Sequence, residues 1–70
     1  MATIGDRIKT ARQARGLTQK ELAKLCYSSQ PAVAEWEAGR RIPKTDTLQR
    51  IADALRVKVS ELLGEEEGNA

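Results

Sequence analysis

The chain has 70 residues, of which 40% are hydrophobic and 31% charged, with a net charge of +2, one cysteine and no histidine. That length supports one domain burying about 60% of its unfolded surface; the lone cysteine rules out an internal disulfide, and the lack of histidine, metal-ligand clusters and glycine-rich phosphate loops speaks against an enzyme, a metal or any cofactor. The charge is uneven: residues 1–60 hold all twelve Lys and Arg against six acids, and residues 61–70 hold the other four acids, so a basic body suited to a polyanion precedes an acidic end.

Thr3 followed by Asp6 is a capping pair that opens a helix over about residues 4 to 15, with Ile4, Ile8, Ala11 and Arg12 on one face and Gly16 closing it. Arg12 is the odd member of that face, since a charge turned to the core needs a partner or must snorkel to water. Thr18 and Glu21 form a capping box, so a second helix starts near Gln19 and sets Leu22, Ala23 and Cys26 on its apolar side. Cys26 there reads as a small buried hydrophobe. Tyr27-Ser28-Ser29 interrupts the run, Ser29 caps a third helix carrying Val33 and Trp36, and Gly39 ends it. The exposed basic loop Arg40-Arg41-Ile42-Pro43-Lys44 follows, and then a fourth helix from Thr45 or Asp46 to about Leu55 that buries Leu48, Ile51, Ala52 and Leu55. Val57 and Val59 are expected to alternate across a connector and plug the bottom of the core. Ser60 should cap a brief last helix, Glu61-Leu62-Leu63, which Gly64 stops. Residues 64–70, GEEEGNA, are expected to form a flexible acidic tail, or equally the start of a linker. With no signal peptide and no apolar run near eighteen residues, a cytosolic protein without a membrane partner is expected.

Two helices joined by so short a turn as Tyr27-Ser28-Ser29 must cross steeply, leaving Gln30, Pro31 and Ala32 projecting; this is the helix-turn-helix arrangement. Gly16-Leu17-Thr18-Gln19, Glu21-Leu22-Ala23 and Trp36-Glu37-x-Gly39, followed by Arg40, Arg41 and Pro43, resemble the Cro and phage-repressor type of helix-turn-helix DNA-binding domain from about Ile4 to Leu63. The resemblance implies an all-α fold, a compact five-helix lambda-repressor-like bundle in residues 1–63. It also implies that Arg12 pairs with Glu37 and that Gln19 contacts a phosphate.

Such a motif needs backbone contacts for affinity and base-edge contacts for sequence choice. For phosphates the candidates are Gln19 at a helix N-terminus and the basic run Arg40, Arg41 and Lys44, with Ser28 and Ser29 as possible hydroxyl donors. For base edges Gln30 leads, because a glutamine can grip adenine N6 and N7 with two hydrogen bonds. Pro31 can offer only apolar contact, Ala32 can touch a thymine methyl, and Glu35 can accept from cytosine N4 while repelling nearby phosphates. One monomer grips few base pairs, so the expected partner is double-stranded DNA with a palindromic operator read by a homodimer, its dimer surface around residues 56 to 63. No small-molecule ligand is implied.

Three positions depart from the family pattern. Tyr27 stands where the turn commonly has glycine, so its backbone either avoids a positive φ or is strained; Ser28 replaces an aliphatic plug; Pro31 removes a side-chain donor. A second function class also fits the scaffold: a protein-binding adaptor of the antitoxin or transcription bridging type, to which residues 3–9, 18–23 and the Gln30-Pro31 pair have some likeness. The discriminating feature is the exposed surface around Gln30 and the 40–44 loop, basic for DNA and apolar for a protein.

Overall fold

Thr3 and Thr18 each take the amide of the residue three positions on, and the carboxylates of Asp6 and Glu21 return the bond, at distances of 2.8 to 3.1 Å. Ser29 Oγ accepts from the Ala32 N–H at 3.2 Å. These caps satisfy amides that a helix start otherwise leaves open. They set three of the five helices in residues 2–65, which are the residues described by the computed structural model: α1 (Ile4–Ala14), α2 (Gln19–Leu25), α3 (Gln30–Glu37), α4 (Thr45–Leu55) and α5 (Val59–Leu63).

All five helices end in one way. The N–H groups of Leu17, Ser28, Arg40, Val57 and Glu65 reach back to the carbonyls of Arg12, Ala23, Glu35, Ala52 and Ser60, at 2.8 to 3.1 Å. This six-to-one closure requires a left-handed residue just before the donor. Gly16, Gly39 and Gly64 supply it freely, whereas Tyr27 (φ 59°) and Arg56 (φ 58°) adopt it with a side chain present, at a cost of about 1–2 kcal/mol each.

The core is small and aliphatic: Ile8, Leu22, Cys26, Val33, Ile51, Leu55 and Leu62 are fully buried, with Trp36 nearly so. At Gly5 the backbones of α1 and α3 all but touch. A Cβ there would stand 2.2 Å from the Trp36 carbonyl oxygen, so only glycine permits this approach.

Two details differ from the sequence expectation. Val59 belongs to α5 and not to the connector, and Ser60 does not cap that helix. Glu61 explains the shift, because its carboxylate accepts the Lys58 N–H at 3.1 Å and so starts the helix one residue after Lys58. Val57 and Val59 are half-buried against the core. Of the expected tail, Gly64 lies against the Arg7 guanidinium and residues 66–70 lie outside the described residues. Among the described residues no helix is long and apolar enough to cross a membrane.

Candidate nucleic-acid interface

α2 is only seven residues long and stops because Tyr27 turns left-handed, which brings the Ser28 N–H onto the Ala23 carbonyl at 2.8 Å. Ser29 then caps α3 directly. Of the two backbone states open to Tyr27, the chain takes the positive φ, with the ring 84% exposed. Ser28 is half-buried, and the aliphatic filling comes instead from Leu22, Cys26 and Val33. Arg50 on α4 locks the turn from behind. Its Nε donates to the Cys26 carbonyl at 3.2 Å and its Nη2 to Thr47 Oγ1 at 3.2 Å, so α4 satisfies the open end of α2.

Under this turn runs a chain of polar contacts from the core to the surface. Arg12, 9% exposed, donates through Nε to Glu37 Oε2 at 2.6 Å, through Nη2 to Glu37 Oε1 at 3.1 Å and through Nη1 to the Leu17 carbonyl at 2.7 Å. The charge-assisted bond to Glu37 raises the Arg12 pKa above its ordinary value, against burial, which would lower it. Gln19 Nε2 donates to the same Glu37 Oε1 at 3.1 Å, and Gln19 Oε1 accepts from Gln30 Nε2 at 3.4 Å. Residues from α1, α2 and α3 are thus tied in one line that ends at the exposed Gln30.

Beside Gln30 the surface opens into a cleft of about 380 Å³. Ser28, Ser29 and Ala32 form one wall; Arg41, Ile42 and Lys44 with Thr47 form the other. Lys44 is the N-cap of α4 and gives no side-chain cap, but the Asp46 carboxylate in that first turn already takes the Thr47 N–H at 2.9 Å, so it is the cations Arg41 and Lys44 that make this edge suit an anion. Arg41 is shared with Glu35, whose Oε1 lies 3.4 Å from its Nη1.

Residues 8–62 match the helix-turn-helix family model. The chain belongs to the helix-turn-helix family. Among curated relatives it is 42% identical over 64 residues to the immunity repressor protein of Bacillus phage phi105, a match covering 91% of this chain and 44% of that protein. It is 40% identical over 57 residues to multiprotein-bridging factor 1 of Candida albicans, covering 81% of this chain and 38% of that protein. The chain therefore spans less than half the length of either. Among solved structures, the P22 c2 repressor in complex with a synthetic operator superposes with a TM-score of 0.88 at 26% identity, covering 93% of this chain and 98% of that one.

Within this helix-turn-helix the candidate residues fall into three groups. Gln30, Pro31 and Glu35 stand exposed on α3, with Ala32 half-buried beside them. Arg40, Arg41 and Lys44 are exposed on the following loop; Arg41 and Lys44 line the cleft. Gln19 and Ser29 are already engaged, Gln19 turned toward Glu37 and Ser29 holding its cap. Sequence reasoning missed Arg50, because a cation on the border of an amphipathic helix carries no local sign of a carbonyl two elements away. It also passed over Ile42, 76% exposed between Arg41 and Pro43; an aliphatic residue within a basic run was the available signal.

Proposed function

We propose that the chain is the DNA-binding part of a sequence-specific transcription regulator, most simply a repressor, with the start of α3 in the major groove of double-stranded DNA. The observation that carries this reading is the placement of Gln30 on the exposed first turn of α3, next to a cleft bordered by Arg41 and Lys44. Gln30 supplies the base contact; Ala32 and Pro31 add apolar contact with thymine methyls; the loop and Ser28 hold phosphates on one side, and the start of α2 at Gln19 holds one on the other. The similarity to a phage immunity repressor and to an operator-bound repressor structure supports the same reading.

A homodimer on a palindromic operator, half-sites about 10 bp apart, extends this proposal. Its surface would be α5 and the preceding connector, where Leu63 is 39% exposed. Sedimentation on a palindromic duplex should give a two-to-one complex; a lone protomer on that duplex would count against it.

The adaptor reading keeps one specific support, the similarity to a bridging factor together with the exposed Ile42. The sign of the surface weighs the other way, since the exposed Arg40, Arg41 and Lys44 outnumber the exposed carboxylates of Glu35 and Asp46 between α3 and the first turn of α4. Selection from a random duplex pool decides between them. Gln30→Ala should relax the choice at one base position, and Arg41→Ala should weaken all duplexes alike and lower the salt slope by about one. Equal, salt-insensitive binding by all three proteins would overturn the assignment.

A further inference from the structure

We infer that Tyr27 is a DNA-contacting residue: its phenol ring lies along the sugar-phosphate backbone at the edge of the groove that α3 enters, and its hydroxyl donates to a phosphate oxygen there. This rests on the reading that Gln30 enters the major groove. Tyr27 holds a left-handed backbone at φ 59°, a conformation in which glycine would carry no strain. Its ring is 84% exposed, so burial against the core does not offset that strain. The turn does not depend on the side chain either, because it is closed by the Ser28 N–H on the Ala23 carbonyl at 2.8 Å and by Arg50 on the Cys26 carbonyl at 3.2 Å. Strained residues of this kind cluster where a protein binds. Tyr27 stands three residues before Gln30, which keeps their Cα atoms within about 10 Å of each other. The major groove is about 12 Å wide, so a side chain that starts so near the base-reading residue stands where the groove wall begins. Leu22, Cys26 and Val33 fill the core side of the turn, and Ser28 and Ser29, next in the chain, line the cleft that Arg41 and Lys44 border. Tyrosine suits such an edge, since its ring can cover a deoxyribose while its hydroxyl bonds a phosphate. Leu25, 52% exposed, would suit a protein on the same flank, but Lys24 before the turn and Arg41 and Lys44 after it are exposed cations and favour a polyanion.

The test uses the 70-residue chain and the best duplex from the random pool, with affinity read by fluorescence anisotropy and thermal unfolding by circular dichroism on the same variants. Tyr27→Gly should unfold about 2–6 °C higher, because relief of the left-handed strain outweighs the freedom that glycine gives the unfolded chain. It should nevertheless bind the duplex about tenfold or more weakly. Tyr27→Phe keeps both ring and strain, so its unfolding midpoint should stay in place while its binding weakens about threefold or more. A set of duplexes, each with one phosphate replaced by an uncharged methylphosphonate, then locates the contact. One replacement beside the base pair read by Gln30 should weaken the original protein and leave Tyr27→Phe unaffected, which a merely structural side chain could not produce. A Tyr27→Gly protein that binds as tightly as the original overturns the inference and turns the Leu25–Tyr27 flank toward a protein partner. So does a Tyr27→Gly protein that loses stability together with affinity, since the ring would then be holding the turn. Original protein and Tyr27→Phe weakened alike by every methylphosphonate overturn it as well. An unaltered protein that binds no duplex overturns the DNA reading itself, and the inference with it.

Discussion

Glu35 and Glu37 lie two residues apart on α3 and each faces an arginine, yet the two pairs do different things. Glu37 and Arg12 meet at 2.6 Å with side chains 4% and 11% exposed; Glu35 and Arg41 meet at 3.4 Å with side chains 47% and 61% exposed. Burial makes the inner pair structural, because removing one partner leaves the other charged and without water. The outer pair is screened and contributes little to stability, so its effect is on how much positive charge the cleft presents. One helix thus anchors itself with one carboxylate and tunes its outer surface with the other.

The largest expected effect breaks the inner pair. Arg12→Ala or Glu37→Ala should each cost about 3–5 kcal/mol in chemical denaturation, while Arg12→Met combined with Glu37→Leu should cost less than either single change, since no charge is stranded. Next comes the spacing that holds the inner face of α3 against α1. Gly5→Ala forces the backbones apart at the Trp36 carbonyl and should cost about 1–3 kcal/mol; a change below about 0.5 kcal/mol would mean that this approach is not tight.

The outer pair should behave in the opposite sense. Glu35→Ala should leave denaturation midpoints within about 0.5 kcal/mol of the original protein and strengthen binding to every duplex, because Arg41 is released toward phosphate. Weaker binding at one base position only would instead assign Glu35 to base readout. The smallest effect concerns Asp6, a fully exposed carboxylate. The Thr3 N–H, its largest influence, holds its pKa below the ordinary value. A lowered folded-state pKa contributes stability above the usual carboxylate range and loses it as pH falls through the lowered value. Asp6→Asn should therefore flatten the acid side of the stability curve slightly and leave neutral-pH binding unchanged.

Much of the fold was legible because its boundaries are written in local chemistry. Thr3, Thr18 and Ser29 start helices through side chains three residues from their partners, and Gly16, Gly39 and Gly64 end helices through backbone freedom. Val59 and Ser60 were misplaced for a related reason: the start of α5 is set by Glu61 reaching back to Lys58, and Ser60 offered a more familiar but unused cap. Tyr27 marks the limit of the glycine rule. Its left-handed backbone is imposed by Leu22 and Cys26, buried on one side of the turn, and by Arg50 holding the Cys26 carbonyl on the other.

The candidate site divides in the same way. That Gln30 starts a helix, that Arg40, Arg41 and Lys44 follow it on a loop and that Arg12 needs a partner are matters of spacing and charge, visible in the chain alone. Which oxygen of Glu37 receives Gln19, which end of the Gln19 amide faces Gln30, and how closely Gly5 lets α1 approach Trp36 depend on side chains brought together from three helices. Caps and amphipathic faces act over one helical turn and so are carried by neighbouring residues, whereas the orientation of an amide is decided by whatever partner the packed fold places beside it.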